Sequence, residues 1–185
     1  GHFSPALSYQ QSVVSSQLSA SYERLTKPYI RGHFLHEYFG EFTEEVRENY
    51  LNETSFSYFE LKEEFNTQRK ITDFFVNSQQ TTDNGHKDEK IKNGLIALCA
   101  EVLFVEDKNG GLHPRIALQF THSYNELEDY QKDNINRLYD EYFYYRNEAL
   151  WKEEALKKLP KIIEASDMLV CGEDLGMVPA CVKDV

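Results

Sequence analysis

The chain has 185 residues, a net charge of −11 at neutral pH, 41% hydrophobic residues and 14% aromatic residues. So acidic a balance argues against a nucleic-acid binder, which needs clustered Lys and Arg to meet phosphates, and against a partner of anionic membrane surfaces. Neutral ligands remain open, and the length suits one domain, or a domain plus part of another.

In chain order, Ser8 to Leu25 is Ser-rich and weakly periodic, with a short helix starting near Ser8. Phe34, Leu35, Tyr38 and Phe39 recur at helical spacing across Arg31 to Phe39, and Gly40 is placed to stop that helix. Thr43 begins a second amphipathic helix that reaches about Leu51. Ser55 to Phe65 is aromatic and ambiguous between strand and loop, and Thr67 to Val76 reads as helix. Asn77 to Lys90 is polar, contains Asp83-Asn84-Gly85, and is expected as a surface loop. Glu89 to Ala100 returns to helical spacing.

Two β-like runs, Val102 to Val105 and Leu112 to Leu118, flank Asn109-Gly110-Gly111, a hairpin signal. Asn125 to Arg146 reads as a long aromatic helix and Leu150 to Leu159 as another, with Pro160 expected to end or kink it or to open a short new one. Met168 to Cys171 is then a short apolar run bounded by Gly172, followed by Glu173, Asp174, Gly176 and Pro179. It reads as a buried strand that delivers two carboxylates to a loop. Such a strand has no sequence-local partner for its backbone groups, so its sheet is expected to lie outside this chain.

Cys99, Cys171 and Cys181 are odd in number and lack Cys-x-x-Cys spacing. Reduced thiols are expected rather than a zinc site or disulfide framework, with a cytoplasmic location. No signal-peptide pattern is visible, and no apolar run approaches bilayer-spanning length. Asn52-Glu53-Thr54 matches a glycosylation acceptor, which a cytosolic protein never uses.

Gly172-Glu173-Asp174-Leu175-Gly176, with Met177-Val178-Pro179 after it, resembles the acid/base motif of the 4-α-glucanotransferases (amylomaltases, or disproportionating enzymes) of glycoside hydrolase family 77. Ala155 to Met168 resembles the helix that leads into that motif. Gly1 to Leu7, Thr67 to Lys70, Leu112 to Leu118 and Leu138 to Phe143 resemble the family's long-insert subgroup. The resemblance implies an α/β fold: an internal fragment of a (β/α)₈ TIM barrel with a large, mainly helical insertion. Residues 1–20 would be a barrel-derived connection after the nucleophile strand. Residues 21–148 would be the insertion, and 149–185 a barrel helix, the acid/base strand and the following loop.

What the resemblance implies chemically is transfer of glucosyl or glucanosyl units between α-1,4 glucans with retention, on malto-oligosaccharide or glucan substrates. It implies no cofactor or metal, and the rest of the parent barrel as structural partner. Glu173 takes the role of general acid/base; the null is a surface glutamate capping the next helix. Asp174 either binds sugar hydroxyls or holds the loop. The aspartate nucleophile of the family, in an Arg-Ile-Asp-His type motif, has no counterpart here, so the chain alone is expected to be inactive.

His113 and Arg115, split by Pro114, either face the substrate channel or pin a hairpin edge. His33 and His36 share a helix face, but no third ligand follows at diagnostic spacing. The rings of Tyr139, Tyr142, Phe143, Tyr144, Tyr145 and Trp151 suit sugar stacking, yet lie on more than one helical face and so read better as packing. The rival from another class is a non-enzymatic acidic helical module that binds a protein or carbohydrate.

Overall fold

The computed structural model of the chain describes residues 8–78, 85–165, 178 and 180–185. Helix α1 (Gln11–Leu18) precedes α2 (Tyr22–Thr26), which is capped by Ser21 accepting from the Arg24 amide at 3.2 Å. Strand β1 (Ile30–Arg31) leads into α3 (Gly32–Phe39). This helix stops at the expected glycine: Gly40 takes φ 56° and returns its amide to the His36 carbonyl. Helix α4 (Thr43–Tyr50) runs directly into β2 (Leu51–Ser55), which turns at Phe56 and Ser57 into β3 (Tyr58–Leu61). Helices α5 (Gln68–Ser78) and α6 (Gly85–Cys99) follow, both longer than expected at the loop between them. Residues 79–84 of that loop lie outside the described set.

Strands β4 (Phe104–Glu106) and β5 (Leu112–Pro114) form a two-stranded sheet around the Asn109-Gly110-Gly111 turn. The second strand stops well short of Leu118, because Ala117 takes left-handed backbone at φ 58° and Leu118–Phe120 form a 3₁₀ turn. Beyond α7 (His122–Asn125) come α8 (Asp129–Asp140), a π-helical turn (Glu141–Arg146) and α9 (Asn147–Glu164). The last three join without a gap, so the two helices expected from the sequence are one. Pro160 sits inside α9 rather than ending it. Its ring removes the bond to the Leu156 carbonyl, but Leu156 is 50% exposed, so water can take that role one turn before the helix ends. The strand expected at Met168 to Gly172 lies outside the described residues.

The chain divides into two compact units. The first gathers Gly1–Leu18, Glu106–Pro114 and Asp129–Val185. Within it α1 packs on α8 through buried Val14, Leu18, Ile135 and Leu138. Gln131 and Asn134 donate side-chain amides to the Leu18 and Gln17 carbonyls at 2.7 and 2.8 Å, bonds that the end of α1 would otherwise lack. Tyr9 and Leu112 exchange backbone bonds of 2.8 and 2.9 Å.

The second unit, Ser19–Val105 with Arg115–Glu128, has its own core. An antiparallel sheet in the order β1-β3-β2 turns Ile30, Phe59 and Leu51 onto Leu35, Phe39, Ile71, Phe75 and Leu95. Each such side chain contributes roughly 1.5–3 kcal/mol by leaving water. Strand β2 buries only Leu51 and so carries no strand-like alternation, while the ambiguous stretch Ser55 to Phe65 supplies β3 at Tyr58–Leu61.

Helices α3 and α6 meet where Phe39 covers Gly94. A Cβ on Gly94 would fall 2.8 Å from Phe39 Cδ1 and closer still to its Cε1, and the fully buried ring has no room to retreat. Alanine normally gains about 1 kcal/mol of helix propensity over glycine, whereas overpacking a core loses about 1–3 kcal/mol. Gly94→Ala is therefore expected to lower the urea midpoint of unfolding; an equal or higher midpoint would show that the contact yields freely.

Candidate functional site

Glu173 and Asp174, the strongest candidates from the sequence, lie outside the described residues. Of the other two candidates, His113 belongs to the first unit and Arg115 to the second.

His113 is fully buried at the end of β5, with both ring nitrogens bonded. Nε2 stands 2.9 Å from Asp107 Oδ2 and Nδ1 stands 2.9 Å from Tyr142 Oη. The carboxylate can only accept, so Nε2 carries the proton towards Asp107, and Nδ1 accepts from the Tyr142 hydroxyl. The other Asp107 oxygen accepts the amides of Asn109 and Gly111 at 2.8 and 3.0 Å, closing the hairpin turn. The His113 bond, then those two amides, hold the Asp107 carboxyl below its usual range. Burial raises the Tyr142 phenol, against a lowering by Arg146 and with a further rise from the Asp107 charge, which keeps it a donor.

Tyr142 itself sits in the π-helical turn, a distortion that re-aims side chains and recurs at functional positions. Beside it Tyr9 donates to the Leu138 carbonyl at 2.8 Å under the Arg146 guanidinium, 4.2 Å from the ring centre. Burial pushes the Tyr9 phenol up to about 12, opposed by Arg146 and assisted by Glu141. With its ring out of water and both nitrogens engaged, His113 acts here as a bolt between hairpin and helix. Asp107 was not singled out from the sequence, and Tyr142 only as one ring of the aromatic run. The signal for Asp107 was the Asp-x-Asn-Gly-Gly turn; Tyr142 had none beyond its helical spacing.

Arg115 is half-buried and turns back on its own loop: Nη1 donates to the Ile116 and Ala117 carbonyls, both at 3.2 Å. Its amide bonds the Leu103 carbonyl at 2.9 Å. The loop so held carries Ile116 and Phe120 outward, 61% and 87% exposed.

Nearby residues settle the histidine pair. His33 Nε2 lies 2.9 Å from Glu126 Oε1, while Glu126 Oε2 accepts from Tyr29 at 2.8 Å and Arg31 at 3.1 Å. Partial burial raises the Glu126 carboxyl, but the bonds from Tyr29 and Arg31 outweigh it and leave the carboxyl below its ordinary value. Among the described residues, no three His, Cys, Asp or Glu side chains gather to hold a metal ion. In the aromatic run, Tyr142 is core, whereas Tyr144, Tyr145 and Trp151 are 48%, 72% and 49% exposed.

Two comparisons bear on identity. The family model of the 4-alpha-glucanotransferases, glycoside hydrolase family 77, matches residues 56–185. The 4-alpha-glucanotransferase DPE2 of Oryza sativa subsp. japonica is 36% identical over 187 residues, covering 100% of this chain and 20% of the rice protein. The chain thus spans about a fifth of the length of that curated relative. No solved structure matches.

The Asp107 anchor carries a signed pH dependence. Its folded-state pKa lies below the unfolded value of about 3.9, so its stabilisation is complete above that value and lost as pH falls through the lower, folded one. Thermal midpoints of wild type and Asp107→Asn should therefore differ at neutral pH and converge in acid; a gap constant with pH would mean the carboxylate charge is not the anchor. Tyr142→Phe, which removes one buried donor, is expected to lower stability by about 1 kcal/mol at every pH between 5 and 8.

Proposed function

Since the chain belongs to the 4-alpha-glucanotransferase family, we propose that it is the stretch of such an enzyme that brings the acid/base carboxylate, Glu173, to a (β/α)₈ barrel. Residues 149–185 supply a barrel helix, the strand and the loop after it; 21–148 form a mainly helical insertion, of which the second unit is the bulk; 1–20 connect from the nucleophile strand. The parent works in the cytoplasm on malto-oligosaccharides or glucans and needs no cofactor.

The observation that carries this reading is an apolar face of α9 that stands half-exposed among the described residues. Leu150, Trp151, Ala155, Leu159 and Ile162 line an apolar groove of about 420 Å³, with only Glu154 and Lys158 among them. Trp151, Ile162 and Ile163 stand 49%, 51% and 60% exposed. A stripe so apolar, at i, i+4, i+8 spacing, needs a surface to cover it, and the sheet of a barrel is such a surface. This helix leads directly towards the Glu-Asp-Leu-Gly segment, and the family match runs through both.

In the reaction, the protonated Glu173 carboxyl gives its proton to the glycosidic oxygen as the C1–O bond breaks and an aspartate from elsewhere in the parent attacks C1. In the second half the Glu173 carboxylate takes the proton of the acceptor hydroxyl as its oxygen attacks C1 and the aspartate leaves. Two inversions give retention, and the two carboxyls must stand about 5–5.5 Å apart. On this reading the apolar run before Glu173 in the sequence would supply the poorly solvated setting that a general acid needs. Neighbouring residues of an extended segment face opposite sides, so the reading leaves Asp174 to sugar hydroxyls or to holding the loop.

In the full-length enzyme, Glu173→Gln is expected to lower transfer between maltodextrins about 10²–10⁴-fold, measured by the redistribution of chain lengths. Transfer at the wild-type rate would remove Glu173 from the mechanism.

A further inference from the structure

A second carbohydrate surface lies in the second unit, away from the Glu173 segment in sequence, and its assignment rests on the reading above. A groove of about 450 Å³ runs where α3 meets α6. His86, Glu89, Lys90 and Asn93 line it from α6 at one-turn spacing, and Glu37 and Tyr38 line it from α3. Gly94 and Ala97 complete the lining.

The lining has both signs of charge and an amide, with no excess that would select an ion. Two carboxylates accept, Lys90 donates, and Asn93 and His86 do both. His86, Glu89 and Asn93 have no side-chain partner among the described residues, so their bonding capacity faces solvent. A neutral ligand bearing many hydroxyls fits that pattern, each hydroxyl both donating and accepting.

The second, independent observation is Phe120. It is 87% exposed on a loop built to be rigid: Ala117 is held at φ 58°, Arg115 ties two carbonyls, and Thr121 Oγ1 donates to the Leu118 carbonyl at 2.6 Å. Two residues on, His122 stacks on Phe34 with centroids 4.3 Å apart, and its Nε2 lies 3.3 Å from Glu37 Oε2 in the groove wall. Two residues of chain, at most about 7 Å between Cα atoms, separate Phe120 from this His122. An exposed ring on a backbone-tied loop and exposed hydrogen-bonding groups on α6 supply the apolar platform and the polar fringe that a sugar ring needs, its face being apolar and its rim polar. We propose that the α3–α6 groove and Phe120 bind a glucan chain, independently of the reacting bond.

The test uses the full-length enzyme with maltoheptaose as probe and amide hydrogen exchange as readout. Maltoheptaose should slow exchange in peptides covering residues 85–99 and 116–122, and both Phe120→Ala and Asn93→Leu should weaken that protection about fivefold or more in apparent affinity. Phe120→Trp should restore it. Absence of protection in these peptides, or protection unaltered by the variants, would overturn the assignment. Glucosyl transfer by the unmodified enzyme tests the parent reading separately: transfer without protection sinks only the groove, and protection without transfer leaves a glucan-binding unit while the enzymatic reading falls.

Discussion

A buried imidazole with a carboxylate on one nitrogen and a phenol on the other sets the geometry of the first unit. Asp107 serves two masters, accepting the Asn109 and Gly111 amides that close the turn and holding His113 in one tautomer. Tyr142 completes the link from a π-helical turn. The turn has a consequence along the helix. Ile135, Leu138 and Tyr142 form the buried stripe of α8, and continuing its spacing would reach Arg146, Ala149 and Glu153. The apolar set of α9 is instead Trp151, Ala155, Leu159 and Ile162. A wider turn shifts the helical register, so one continuous helix carries two apolar faces at different angles.

That arrangement explains which parts of the fold were legible. Gly40 at the end of α3 and the Asn-Gly-Gly turn are local backbone demands, and local demands are written in local residues. Of the stretch Ser55 to Phe65, ambiguous between strand and loop, Tyr58–Leu61 forms β3; β2, with four of its five residues facing solvent, offers no alternation to read. Pro160 misled in the other direction: its missing bond falls on an exposed carbonyl near the helix end, where the usual penalty is small. For the site, His113 admitted two readings from sequence. Its burial and the Asp107 and Tyr142 contacts depend on residues 6 and 29 positions away, which no local pattern encodes. Glu173 was singled out by the apolar run before it and by the resemblance of the motif around it, and it lies outside the described residues.

The two units differ in what they need from the rest of the parent. The second unit closes its own core around Phe39, Phe75 and Leu95, with side chains fully or nearly fully out of water. In the first unit, α9 carries an apolar stripe that is half-exposed among the described residues. Burial of that stripe is worth roughly 25 cal/mol for each Å² removed from water, so the driving force for docking sits on α9. A unit with a finished core can vary its surface residues without loosening that core.

Net charge bears on how such a surface must work. A neutral glucan gains nothing from long-range attraction to a chain carrying −11, and screening confines any field to about 8–10 Å in any case. Affinity then has to come from contacts of fixed geometry, and contacts of fixed geometry require that ordering be settled before the ligand arrives. The left-handed Ala117 and the Arg115 clamp bear on that requirement: they fix the backbone of the loop that carries Phe120. A side chain this apolar and this exposed is a loss for solubility; a loop that nonetheless spends backbone strain to hold it outward is better explained by a ligand than by folding.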